Sequence, residues 1–165
     1  MRTVIRFATS CAVVTAMFLF AGGLRTYGAG EDRRAQPLAA EILDATGVRG
    51  GIVVHLNCGD GRLTAALRAG DAFTVQGLER DPALVKAARE HLANSGRYGP
   101  VSIEHWTGST LPYADNLINL IVVSGRSSVA QDELLRVLCP GGKLIQIAAD
   151  SGLGTTDMIV KPRPD

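Results

Sequence analysis

The 165-residue chain has little cysteine, few aromatic rings and almost no net charge, and each shortage removes a class of protein. There are three cysteines, and setting aside Cys11 in the apolar run near the start leaves only Cys58 and Cys139. Two are too few for a disulfide framework, and neither has the spacing of a metal ligand, so no metal site is expected. Lys plus Arg number 17 against 16 Asp plus Glu, a net charge of +1, which argues against bulk electrostatic binding to nucleic acid. With 46% hydrophobic and 20% charged residues, the composition is globular, and neither disordered nor coiled-coil. No internal repeat or low-complexity tract is visible, and the length suits one domain.

Residues 1–29 read as a secretory signal peptide. Arg2 and Arg6 form a basic start, Cys11 to Ala21 is uncharged and apolar, and small residues follow at Gly22, Gly23, Gly28 and Ala29. The apolar run is shorter than the roughly 20 residues that cross a bilayer, so no stable span is expected once the leader is cleaved. Tyr27 fits poorly at the −3 position of a cut after Ala29, and Cys11 opens the apolar run, which makes it a poor lipid acceptor. A leader of this kind implies export to the periplasm or medium; without it the protein stays in the cytoplasm.

The remainder divides into a charged linker over 30–36, a folded unit over 37–150 and a proline-containing tail over 151–165. Its organising stretch is Gly51 to Arg62, Gly-Ile-Val-Val-His-Leu-Asn-Cys-Gly-Asp-Gly-Arg. An apolar strand ends at Leu56, and Asn57, Gly59 and Gly61 then supply three residues tolerant of positive φ before a helical pattern begins at Leu63. Strand, glycine loop and helix form a geometry that lets backbone approach a phosphate or nucleotide. A second strand from Phe73 ends at Glu79, 18 positions beyond Gly61, where a carboxylate can accept both ribose hydroxyls of a nucleoside lying across the loop.

Around this pair, helices and apolar strands alternate. Pro37 begins a helix closed by Gly47, Gly70 caps the helix after the glycine loop, and Asp81-Pro82 begins another. Strands are expected over Val101 to Glu104, Leu117 to Val123 and Lys143 to Ala148. Ser127 or Ser128 caps a helix stopping at Pro140-Gly141-Gly142, and Ser151 to Asp165 shows no period. The order predicts a Rossmann-like, doubly wound α/β fold with a parallel sheet of about five strands. In that topology Cys58 and Cys139 lie at opposite ends of the sheet.

These residues resemble the class I S-adenosylmethionine-dependent methyltransferases, in particular their "type 11" subgroup. Val53 to Gly61 is similar to the family's first motif, and Gly77 to Pro82 to its second-strand motif. Leu111-Pro112-Tyr113-Ala114-Asp115-Asn116 with the apolar run after it resembles the pattern around the fourth strand. Glu133 to Ile145 resembles the helix and turn before the fifth. The resemblance implies S-adenosylmethionine as cofactor. It would place the methionine part against His55, Asn57, Cys58, Gly59 and Gly61, the ribose on Glu79, and the adenine between Arg80 and Thr107-Gly108-Ser109. No catalytic side chain is implied, because methyl transfer from a sulfonium mainly needs alignment and exclusion of water.

The chain also departs from the family. His55 stands where an acid is usual, Asn57 where a glycine is, Asn119 where an Asp is common, and no acid occurs near Thr107 or Gly108. His55 reads either as a satisfied core histidine or as a ligand contact. The family's sheet continues with further strands, so a five-strand sheet leaves an edge for another domain or chain, and similar exported segments precede quinoprotein-type β-propellers. S-adenosylmethionine is not expected outside the cytoplasm. Two functions follow: methyl transfer to a small acceptor, or a non-catalytic exported module that keeps the fold for binding. The spacing of Asn57-Cys-Gly-Asp-Gly does not fit the dehydrogenase fingerprint.

Overall fold

The computed structural model describes residues 29–147 and 158–163. All of the expected leader except Ala29 lies outside the described residues, as does most of the tail. Ten elements follow in order: α1 (Ala29–Thr46), β1 (Gly51–Leu56), α2 (Arg62–Leu67), β2 (Phe73–Glu79), α3 (Pro82–Asn94), β3 (Val101–His105), β4 (Ile118–Ser124), α4 (Gln131–Val137), β5 (Leu138–Ile147) and β6 (Met158–Pro162).

The strands form one sheet in the order β3-β2-β1-β4-β5-β6. The first five are parallel, and β6 runs antiparallel to β5 with Ile145 opposite Val160. The sheet reverses its winding at β1 and β4, so the carboxyl ends of these strands flank the crevice where such folds bind ligands. The sheet therefore has six strands where the sequence suggests about five, and part of the tail is strand. Its apolar stretch is too short to show a period; backbone pairing with β5 makes it a strand.

Four boundaries also shift. The expected linker is helical: α1 begins at Ala29 and carries Pro37 inside it. A proline there removes one helical hydrogen bond, but Ala35 is buried in one cluster with Ala39, Ile42 and Leu43, and packing carries the helix through. The helix after the glycine loop ends at Leu67 with Arg68 as its cap, short of Gly70. The cap of α4 is Ala130; Ser127 accepts the Val129 N–H at 3.0 Å in the turn before it. After α4 the chain is already strand at Leu138, and a register irregularity absorbs the Pro-Gly-Gly turn.

The core lies on both faces of the sheet. Helices α1, α2 and α3 cover one face, over Val53, Val75, Leu120, Val122 and Ile145. The other face packs Val54, Leu78, Ile121 and Leu144 under α4 and the 106–117 crossover, with Leu111 as its anchor. Strand β3 is one edge of the sheet, where Arg89 Nε donates to the Ile103 carbonyl at 2.8 Å. Cys58 and Cys139 are free thiols. Among the described residues no helix is long and apolar enough to cross a membrane.

Candidate functional site

The loop after β1 turns through left-handed backbone at Asn57 (φ 54°), Gly59 (φ 57°) and Gly61 (φ 76°). Asn57 tolerates this conformation, and its side chain ties the loop to the end of β4: Nδ2 donates to the carbonyls of Ser124 and Arg126, both at 3.0 Å. Gly61 has a second constraint, because a Cβ there would lie 2.9 Å from Ala88 Cβ of α3. Asp60 accepts the Arg62 N–H at 3.1 Å and the Arg62 Nε–H at 2.8 Å, which starts α2.

Glu79 at the end of β2 is 7% exposed. One carboxylate oxygen accepts the Gly59 N–H at 2.7 Å; the other accepts the N–H groups of Arg80 at 2.8 Å and Asp81 at 3.2 Å. The acid and the glycine loop that the sequence pairs by spacing are thus in direct contact. A carboxylate offers about four lone-pair sites, so roughly one stays open for a ligand hydroxyl after these three bonds.

Beside this contact lies a narrow crevice lined by Leu56, Asn57, Leu78, Arg80, Trp106, Ser127, Ser128 and Val129. Trp106 forms one wall with the Arg80 guanidinium 5.9 Å from its ring centre, and Arg80 also donates to the Gly108 carbonyl at 3.2 Å. Ser127, Ser128 and Val129 complete the lining. Ser109 is exposed on the crossover just beyond Gly108. The wall formed by Trp106, Leu78 and residues 127–129 is the part that sequence reading missed as a site. Its one signal was that the chain's single tryptophan immediately precedes Thr107-Gly108.

Two walls of the cleft are tied together by Arg136 on α4. It pairs with Glu133 at 2.7 and 2.8 Å and with Asp115, and donates to the carbonyls of Tyr113 at 3.1 Å and Leu111 at 3.3 Å. Glu133 also accepts the Leu111 N–H at 2.7 Å. The crossover that begins with Trp106 and the helix that follows Val129 thus share one ion-paired staple. Tyr113 adds a hydrogen bond from its hydroxyl to Gln76 at 2.8 Å.

Two of the sequence-predicted residues have buried side chains. His55 is buried among protein partners: Nδ1 bonds Thr64 Oγ1 and Nε2 bonds Ser124 Oγ, both at 2.8 Å. Both ring nitrogens are occupied, which corresponds to the core-histidine reading. Cys58 is buried against Gly77, and a Cβ on Gly77 would lie 2.7 Å from its sulfur. Burial, then the charge of Glu79, pushes its thiol up to about 12, so it is inert as a nucleophile. Asn119 lies at the far end of β1, accepting the Ile52 N–H at 2.8 Å, and is structural.

The buried ring makes stability depend on acid. Burial lowers the His55 pKa from 6.5 to about 4, so between those values the unfolded chain binds a proton that the folded one refuses. Stability is full above pH 6.5 and falls as pH drops toward 4, by roughly 3 kcal/mol in all. Hydrogen bonding from Arg136 holds Glu133 down at about 2 from 4.5, which adds a second loss across that lower window. Urea midpoints measured from pH 7 to 4 should decline and should flatten in His55→Asn; a flat wild-type profile would rule the buried neutral ring out.

A family model described as a methyltransferase domain matches residues 53–142, just over half of the chain. The ubiquinone/menaquinone biosynthesis C-methyltransferase UbiE of Photorhabdus laumondii is 35% identical over 112 residues, covering 62% of this chain and 45% of that protein. The enzyme of the same name from Hydrogenovibrio crunogenus is 33% identical over the same length, with 44% of it covered. The chain thus spans just under half the length of the curated relatives it matches. Among solved structures, a putative S-adenosyl-L-methionine-dependent methyltransferase of Methanococcus maripaludis superposes with TM-score 0.63 at 25% identity, covering 69% of this chain and 55% of that one. The [4+2]-cyclase SpnF superposes with TM-score 0.62 at 23% identity over 70% of this chain and 45% of that one, a likeness of fold.

Proposed function

The chain belongs to the methyltransferase domain family, and from that premise we propose that it binds S-adenosylmethionine at the β1 loop and transfers the methyl group to a small acceptor. One observation carries this reading: the Glu79 carboxylate sits on the Gly59 N–H at 2.7 Å, where a ribose laid across the loop meets both groups. When bound, S-adenosylmethionine supplies a methyl group on a sulfonium, whose S–C bonding pair stays with sulfur as the acceptor's lone pair takes the carbon.

The protein's own part is placement. Glu79 would accept from the ribose, the positive-φ turn at Gly59 and Gly61 would admit the ligand to the backbone, and Trp106 with Arg80 against its ring would border the adenine. Arg136, through Glu133 and the crossover carbonyls, positions the two walls. No side chain needs to act as a general acid or base for alignment to lower the barrier.

Calorimetric titration of the folded full-length chain with S-adenosylhomocysteine and S-adenosylmethionine tests the reading. Micromolar dissociation constants and a change in Trp106 fluorescence on binding are expected. A folded protein that binds neither compound at millimolar concentration would overturn it.

A further inference from the structure

The carboxyl ends of β1 and β4, where the winding of the sheet reverses, are tied together by one side chain. Leu56 lies opposite Val123, so Asn57 of the loop comes level with Ser124 at the end of β4. Asn57 Nδ2 spends both of its protons there, on the carbonyls of Ser124 and Arg126, each at 3.0 Å. The turn itself does not need this side chain, because the backbone at φ 54° is one that glycine adopts freely. What the asparagine adds is a bolt across the point where the winding reverses.

The polar groups beside the bolt are spent as well. His55 on β1 bonds Thr64 and Ser124 through its two ring nitrogens, both at 2.8 Å. Asp60, the loop's one carboxylate, holds the backbone N–H of Arg62 with one oxygen and its Nε–H with the other.

This arrangement bears on a nucleoside that carries a substituent on its 5′ carbon. With the adenine beside Trp106, just past β3, and the ribose on Glu79, at the end of β2, the strand order β3-β2-β1-β4 carries that substituent onward to the ends of β1 and β4. An amino-acid substituent brings an ammonium there, and an ammonium taken from water needs acceptors. The carbonyls of Ser124 and Arg126 already accept from Asn57.

We propose that Asn57 determines the class of ligand: the site recognises adenosine bearing a 5′ sulfur, and it takes 5′-thioadenosines without distinguishing the amino-acid part of S-adenosylhomocysteine. The inference rests on the nucleoside placement in the methyl-transfer reading above. Asn57 acts by occupying acceptors that an ammonium would otherwise use, and the neutral, fully bonded His55 supplies no charge in their place.

Calorimetric titration of the full-length chain compares S-adenosylhomocysteine with 5′-methylthioadenosine, two thioethers that differ only beyond the sulfur. Their dissociation constants should lie within about threefold of each other, less than one hydrogen bond to a charged group supplies. Asn57→Gly keeps the left-handed turn and frees both carbonyls, so it should shift the ratio about tenfold toward S-adenosylhomocysteine, the low end for such a bond. A loop that is merely looser would weaken both compounds together and leave the ratio where it was. A larger wild-type preference for S-adenosylhomocysteine, or the same ratio in Asn57→Gly, would overturn the role of Asn57 and leave the methyl-transfer reading intact. If only 5′-methylthioadenosine binds, the inference stands and the methyl-transfer reading falls; if the folded protein binds neither compound, both fall.

Discussion

Glu79→Ala is expected to weaken S-adenosylhomocysteine binding by roughly 10- to 100-fold, the scale of about 1–3 kcal/mol for a hydrogen bond to a charged group. The loss has two sources. The ribose loses its acceptor, and the N–H groups of Gly59, Arg80 and Asp81 lose the carboxylate that fixes them. Glu79→Gln is not conservative here, because an amide turns one of its two ends into a donor facing a donor. Calorimetry of both variants alongside thermal melts separates the sources: the alanine variant should also melt lower, since the loop's amides are no longer held. Equal affinity of wild type and Glu79→Ala would remove the ribose assignment.

Gly61→Ala is expected to destabilise the fold by roughly 2–5 kcal/mol. Left-handed backbone costs a non-glycine residue about 1–2 kcal/mol, and forcing a methyl into packed space adds about 1–3. The backbone at Gly61 has φ 76°, and the added Cβ would press on Ala88 Cβ at 2.9 Å. Gly59→Ala is the internal control, since φ is 57° but nothing lies within 4 Å of the point its methyl would occupy; only the conformational cost of about 1–2 kcal/mol should appear. The difference between the two urea midpoints isolates the packing of α2 against α3. Identical midpoints would show that this contact relaxes without cost.

Much of this site is legible in the chain before it folds, because its main features are local. An apolar run that ends in Asn57-Cys-Gly-Asp-Gly can only turn where positive φ is tolerated, and Glu79 closes the next apolar run at a distance that a helix and two strand ends impose. The alternation of strands and helices likewise points to a doubly wound parallel sheet; that the winding reverses between β1 and β4 is visible only in the folded sheet. The strand in the tail was not legible. Met158 to Pro162 has no period, and only the free backbone edge of β5 gives it a reason to extend.

What the sequence by itself determined is therefore the fold class, the glycine loop and the carboxylate that meets it, since each follows from local conformational preference and hydrophobic period. What only the tertiary structure decided is which side chains those elements turn toward one another. His55 is spent on Thr64 and Ser124, nine and 69 positions away, and the cleft wall pairs Trp106 with residues 127–129 across a crossover of no regular structure. Arg136 gathers carbonyls and a carboxylate from residues 111–115 through contacts 21 to 25 positions apart. Such partners are chosen by packing and by the need to satisfy buried polar groups, which act between elements only after the sheet has brought them together.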